Sequence, residues 1–177
     1  MAKRMIIRLE KAQSTDEMLT RMAKGYHDLL VAVAPILKKN KDIHAGLKEG
    51  LTKFLSNLCI ALGNKQQTDL YSEKAYDQLK HKNKSKLVYE HVVPKNIYQN
   101  EILKAFMDGR VMSVEEIKEM LEKYWRIATI TKEEDENSLL LSETMPEGWK
   151  KGDDPLARYH RAGITLHTWD EWSKIKV

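Results

Sequence analysis

From Met18 onward the apolar residues fall at Met18, Met22, Tyr26, Leu29, Val33 and Ile36/Leu37, in steps of three and four. That spacing places them on one face of a helix, and a long helix with one apolar face has to bury it against a second element. Ser14 and Glu17 predict a capping box at its start, and Pro35 marks a place for a kink near its end. After the polar break KKNKD a second stripe runs through Ile43, Leu47, Leu51, Phe54, Leu55, Leu58 and Leu62. It predicts a second helix with Gly63 as its C-terminal cap. Gly46 and Gly50, one turn apart, are expected to permit a close helix contact, and the two helices to form an antiparallel pair. The single cysteine, Cys59, lies within the second stripe and reads as core packing. One thiol makes neither an internal disulfide nor the paired-ligand pattern of a zinc site.

Beyond residue 70 the pattern changes to shorter elements. Residues 3–9 form a short strand or lead-in, and a third helix starts near Ser72 and covers Ala75, Tyr76 and Leu79. The β-branched and aromatic run LVYEHVV, residues 87–93, predicts a strand that Pro94 ends. A helix over 96–107, a turn at Asp108-Gly109 and a helix from the Ser113/Glu116 capping box through Lys123 follow. WRIATI, residues 125–130, predicts another strand, and Thr131 with Glu134 caps a helix over 132–141. Asp154-Pro155 opens a short helix, LARYHRA, which passes through Gly163 into a possible strand, ITL. Trp169 and Trp172 are expected to dock the C-terminus onto the core.

These elements predict an α+β, predominantly helical fold in which an N-terminal helical hairpin packs on a small region with two or three short strands. With 177 residues, 42% of them hydrophobic, the chain has the size and apolar content of one domain. Residues 1–80 form its helical subregion, and 81–177 a mixed α/β subregion carrying the candidate site. No apolar stretch approaches the ~20 residues of a membrane helix, and the start MAKRMIIRLEKAQ lacks a signal-peptide core. The expected location is cytoplasmic, with no membrane partner.

The net charge of +4 is unevenly spread: residues 1–95 hold 18 Lys/Arg and 10 Asp/Glu, residues 96–177 hold 12 and 16. A basic half beside an acidic half suits a phosphate-binding face next to a metal-binding or solvated one. The densest basic run is KHKNKSK, residues 80–86, directly before the strand LVYEHVV. It reads either as a solvated loop or as a contact to a nucleic-acid backbone.

LVYEHVVPK, an acidic residue, a histidine, two apolar residues and a proline at a strand end, resembles the first strand of HNH-type, ββα-metal nucleases. The resemblance implies His91 as the general base for the attacking water and Glu90 as a ligand to a divalent metal such as Mg2+. A further ligand would come from the helix after the second strand, where Glu133, Glu134, Asp135 and Asn137 stand. Lys82, Lys84, Lys86 and Lys95, with Arg158 and Arg161 in the tail, are the candidates for the nucleic-acid backbone. About fifty residues carry the resemblance. LVYEHVVPK, ATITKEED and the tail MPEGW…DPLARYHRAGI are also similar to small bacterial or phage proteins, a likeness that assigns no function.

Two classes of function follow. One is a metal-dependent nuclease, a hydrolase of DNA or RNA, as in restriction or phage–host conflict. The other is a non-catalytic module binding nucleic acid or protein, or a homo-oligomer joined through the N-terminal helices. Carboxylates in a first helical turn also favour the helix dipole in their own right, and a strand histidine is often structural. The glycine-rich phosphate loop, the G-x-S-x-G elbow and the H-E-x-x-H pair are absent from the sequence, so kinase, dinucleotide oxidoreductase, serine hydrolase and zinc protease readings lack their signatures.

Overall fold

In a computed structural model, which describes residues 10–40, 44–62, 69–139 and 144–176, two long helices lead into a mixed region built on a small sheet. Helix α1 (Thr15–Lys39) and helix α2 (His44–Leu62) are the expected antiparallel pair. Their far ends meet: the Ala12 N–H donates to the Leu62 carbonyl at 2.7 Å, and Lys11 Nζ donates to the carbonyls of Ile60 and Ala61. The lysine thus serves carbonyls left open at the helix end. Ser14 caps α1 through the Glu17 N–H, but the Glu17 carboxylate accepts from the Gln13 N–H, one residue earlier than a capping box requires. The helix continues through Pro35.

The glycine expectation fails. Gly46 and Gly50 face open space, whereas a Cβ on Gly25 of α1 would sit 2.9 Å from Leu58 Cδ2. The close approach therefore belongs to Gly25, on the neighbouring helix. The lead-in over 3–9 and the Gly63 cap lie outside the described residues.

The remaining elements are β1 (Leu70–Ser72), α3 (Glu73–Lys80), β2 (Leu87–His91), α4 (Lys95–Met107), α5 (Val114–Tyr124), β3 (Ile127–Thr131), α6 (Lys132–Asn137), α7 (Ala157–Arg161), β4 (Leu166–His167) and α8 (Trp169–Ile175). The four strands lie in the order β2-β3-β1-β4. Strand β2 runs antiparallel to β3, β1 parallel to β3, and β4 antiparallel to β1. Strand β1 falls inside the stretch expected to be helical, so residue 80 does not divide helices from sheet. Three residues are too few for a period-2 pattern to stand out.

Two cores result. The helical one joins α1, α2, α4 and α5 through Met22, Tyr26, Leu55, Ile102, Ile117 and Leu121. The second covers one face of the sheet with Leu70, Ala128, Ile130, Tyr159, Ile164 and Leu166. Cys59 is buried in the first, its Sγ 3.9 Å from Met18 Sδ. Complete capping boxes open α5 (Ser113/Glu116), α6 (Thr131/Glu134) and α8 (Thr168/Glu171). The tail docks as expected: Trp172 is buried and its indole N–H donates to the Tyr71 carbonyl at 2.7 Å. Among the described residues no helix is long and apolar enough to cross a membrane. Val31 and Ile36 on α1 and Ile60 on α2 remain exposed.

Candidate functional site

Strand β2 carries the candidate residues, and its pleat separates them. Val88 and Glu90 stand opposite Ile130 and Ala128, which belong to the sheet-face core. His91, one residue on, points to the other face, and its ring packs edge-on against Trp125 with centroids 4.7 Å apart. The acidic residue and the histidine that the resemblance joins therefore serve different layers.

On the sheet-face side Glu90 meets Arg158 of α7. Arg158 is 1% exposed, among the most buried large side chains of the protein. Its Nη2 donates to Glu90 Oε1 at 3.0 Å and also to the His91 carbonyl, while Nε donates to the Val92 carbonyl at 3.0 Å. Its guanidinium carbon lies 5.1 Å from the Tyr159 ring centroid. Burial raises the Glu90 carboxyl above its ordinary value, Arg158 pulls it back, and the nearby Asp135 carboxylate pushes the same way as burial. A buried guanidinium needs its donors met by fixed acceptors. Here the end of β2 supplies them, so Arg158 is a fastener between β2 and the tail. The expectation that it faces a phosphate is corrected by that burial.

On the other side His91 is an apolar-site histidine. Burial is the main cause, with the cations of Lys95 and Arg158 adding to it, that lowers its pKa from 6.5 to about 3. The ring is therefore neutral near pH 7. Its Nδ1 is buried and makes no hydrogen bond among the described residues. A general base works best with a pKa near the working pH, and a ring that releases its proton near pH 3 is a weak acceptor. Lys95, at the first turn of α4, is turned inward: its Nζ donates to Ser56 Oγ of α2 at 2.8 Å.

The carboxylates of α6 do not form one cradle with Glu90. Glu134 is buried, and its Oε2 accepts from the Thr131 N–H at 2.8 Å, Thr131 Oγ1 at 3.0 Å and Ser72 Oγ at 2.6 Å. It completes the α6 capping box and ties β1 to β3. Glu133 is exposed and pairs with Lys74 at 3.3 Å. Asp135, half-buried, is the α6 acid that acts on Glu90. Among the described residues no three His, Cys, Asp or Glu side chains gather as a metal-holding group.

The basic run has a definite shape. Asn83 N–H donates to the Gln78 carbonyl and Lys82 N–H to the Leu79 carbonyl, both at 2.9 Å, which is a Schellman closure of α3. Asn83 Oδ1 then accepts from the Ser85 N–H and Oγ, and the Lys86 carbonyl accepts from the Lys132 N–H at 2.7 Å. Lys82 and Lys86 both have φ 58°, and among the described residues they are the two non-glycine positions with positive φ. Lys82, Lys84 and Lys86 are exposed and make no ion pair among the described residues. Arg161 is also exposed, on α7.

The sequence missed Arg158 as a buried partner of Glu90, and no local signal marks it: its acceptors lie more than sixty positions away in the chain. Comparison with known proteins finds no matching family model, no matching curated protein and no matching solved structure.

Proposed function

We propose that the protein is a non-catalytic module that binds nucleic-acid backbone through the turn of residues 80–86. The observation that carries this reading is the conformation of Lys82 and Lys86. The C′ position of a Schellman closure favours glycine, and a side chain in the left-handed region costs roughly 1 kcal/mol. Two lysines stand in that conformation within seven residues, exposed and without ion pairs among the described residues. A closed turn loses little backbone freedom on meeting phosphates, and each lysine contact releases counterions. Some other surface lysines are matched by carboxylates: Lys24 pairs with Asp28, Lys53 with Glu49, and Lys151 with Glu101.

The test is binding of a fluorescent oligonucleotide across a salt series, comparing the wild type with a Lys82→Gly/Lys86→Gly variant. The expected result is weaker binding and a salt slope shallower by about 2. Unchanged affinity and slope would remove the turn as the contact.

A nuclease reading retains one observation, the proximity of the Glu90 and Asp135 carboxylates. A plasmid and RNA cleavage assay with Mg2+ or Mn2+ tests it, with Glu90→Gln and His91→Ala as controls. Metal-dependent cutting that either substitution abolishes would replace the binding reading.

A further inference from the structure

We infer that the basic turn continues into an aromatic stacking platform for a single-stranded nucleic acid, with Trp169 as the exposed ring. This rests on the reading of the turn given above and names the form of its partner. Lys80, the last residue of α3, lies at the start of the turn, with its Nζ 5.9 Å from the Tyr76 ring centroid. The Tyr76 ring is in turn 4.6 Å from that of Trp169. Tyr71 of β1 supports Trp169 from its edge at 5.5 Å, with the planes at 77°. One ring therefore separates Lys80 from an indole that is 39% exposed.

Trp172, three residues on, is the structural tryptophan: it is buried, bonded to the Tyr71 carbonyl and packed on Tyr76 at 6.1 Å. The Trp169 indole N–H makes no hydrogen bond among the described residues, and α8 is already docked by Trp172. The acids around it are mostly engaged. Lys176 holds Glu73 and Asp77 at 3.0 and 2.5 Å, and Glu171 caps α8 through Thr168. Asp170 is exposed beside it.

An indole backed by Tyr71 and Tyr76, with Lys80 at the start of the basic turn beyond Tyr76, suits a strand whose bases are unstacked, because every base offers a π-face and the phosphates can follow the lysines. A duplex hides its base faces and meets the lysines alone. The two forms therefore respond differently to loss of the ring.

The experiment is fluorescence anisotropy with a labelled oligothymidylate, alone and annealed to oligoadenylate, against wild type, Trp169→Leu and Trp169→Phe. Trp169→Leu is expected to weaken single-strand binding roughly tenfold and leave duplex binding within about twofold. Trp169→Phe, which keeps an aromatic face, is expected to restore most of the loss. Quenching of intrinsic tryptophan emission by unlabelled oligothymidylate should be largely lost in Trp169→Phe, a readout that stands even if Trp169→Leu folds poorly. Unchanged single-strand binding in Trp169→Leu, or equal loss for both forms, overturns the platform while the lysine reading survives. Absence of binding to either form by the wild type overturns both.

Discussion

The two ends of strand β2 treat charge in opposite ways. At its start the lysines of the 80–86 turn are exposed and lack ion pairs among the described residues. At its end the Glu90 carboxylate is bonded to the buried Arg158, and the same guanidinium takes the carbonyls of His91 and Val92. A charge whose partners all come from the protein holds the fold together and has little left to offer a ligand. A charge held in a costly backbone conformation without a protein partner is available to one. By that difference the Glu90-His91 end is architecture, and it is the turn that we propose as the interaction surface.

The contrast breaks most readily at Arg158. Replacing it with Met leaves Glu90 and two carbonyls without their donor in a buried site, and urea unfolding should show a loss of about 3–5 kcal/mol. A loss under about 1 kcal/mol would mean that the pair is not a fastener. His91 gives the next largest effect, and it depends on pH. Its folded pKa is depressed to about 3 from 6.5, so between those values the unfolded chain binds a proton that the folded one refuses. Its contribution is fully present above pH 6.5 and is lost as pH falls, on the order of 3 kcal/mol by pH 4. His91→Phe, which keeps a ring against Trp125, should flatten that acid limb in a pH series of unfolding midpoints. An unchanged limb would place the histidine in water.

Ser72→Ala tests the link between strand and cap. It removes the 2.6 Å bond to Glu134 and the side-chain cap on the Ala75 N–H, and should cost about 1–2 kcal/mol in thermal or urea unfolding. Lys82→Gly/Lys86→Gly should change stability in the opposite direction, a gain of roughly 1 kcal/mol, while oligonucleotide affinity falls. Stability and binding moving apart in one variant is the sharpest form of the comparison. A variant that loses stability would show that the lysines serve the fold.

Local chemistry was well marked in the sequence. The stripes of α1 and α2, the capping boxes Ser113/Glu116 and Thr131/Glu134 and the strand ending before Pro94 all rest on patterns a few residues long or on one helical face. The Thr168/Glu171 box is equally legible along the chain. Strand β1 was not legible: three residues acquire strand identity from pairing with Ala128, Thr129, Leu166 and His167. The small-residue contact was assigned to the wrong helix, because spacing shows which glycines share a face and not whether anything faces them.

The sequence by itself determined the helical periodicity, the turn chemistry and the concentration of lysines at residues 80–86, since each follows from neighbours along the chain. Only the tertiary structure decided what the charged residues do. Arg158 and Glu90 are 68 positions apart, and their pairing depends on α7 packing over the end of β2. The pleat of β2 separates Glu90 from His91 across the sheet, and burial on the opposite face against Trp125 leaves the imidazole neutral. Burial is a property of the assembled layers, and a charge takes its role from whether those layers enclose it with partners or leave it facing water.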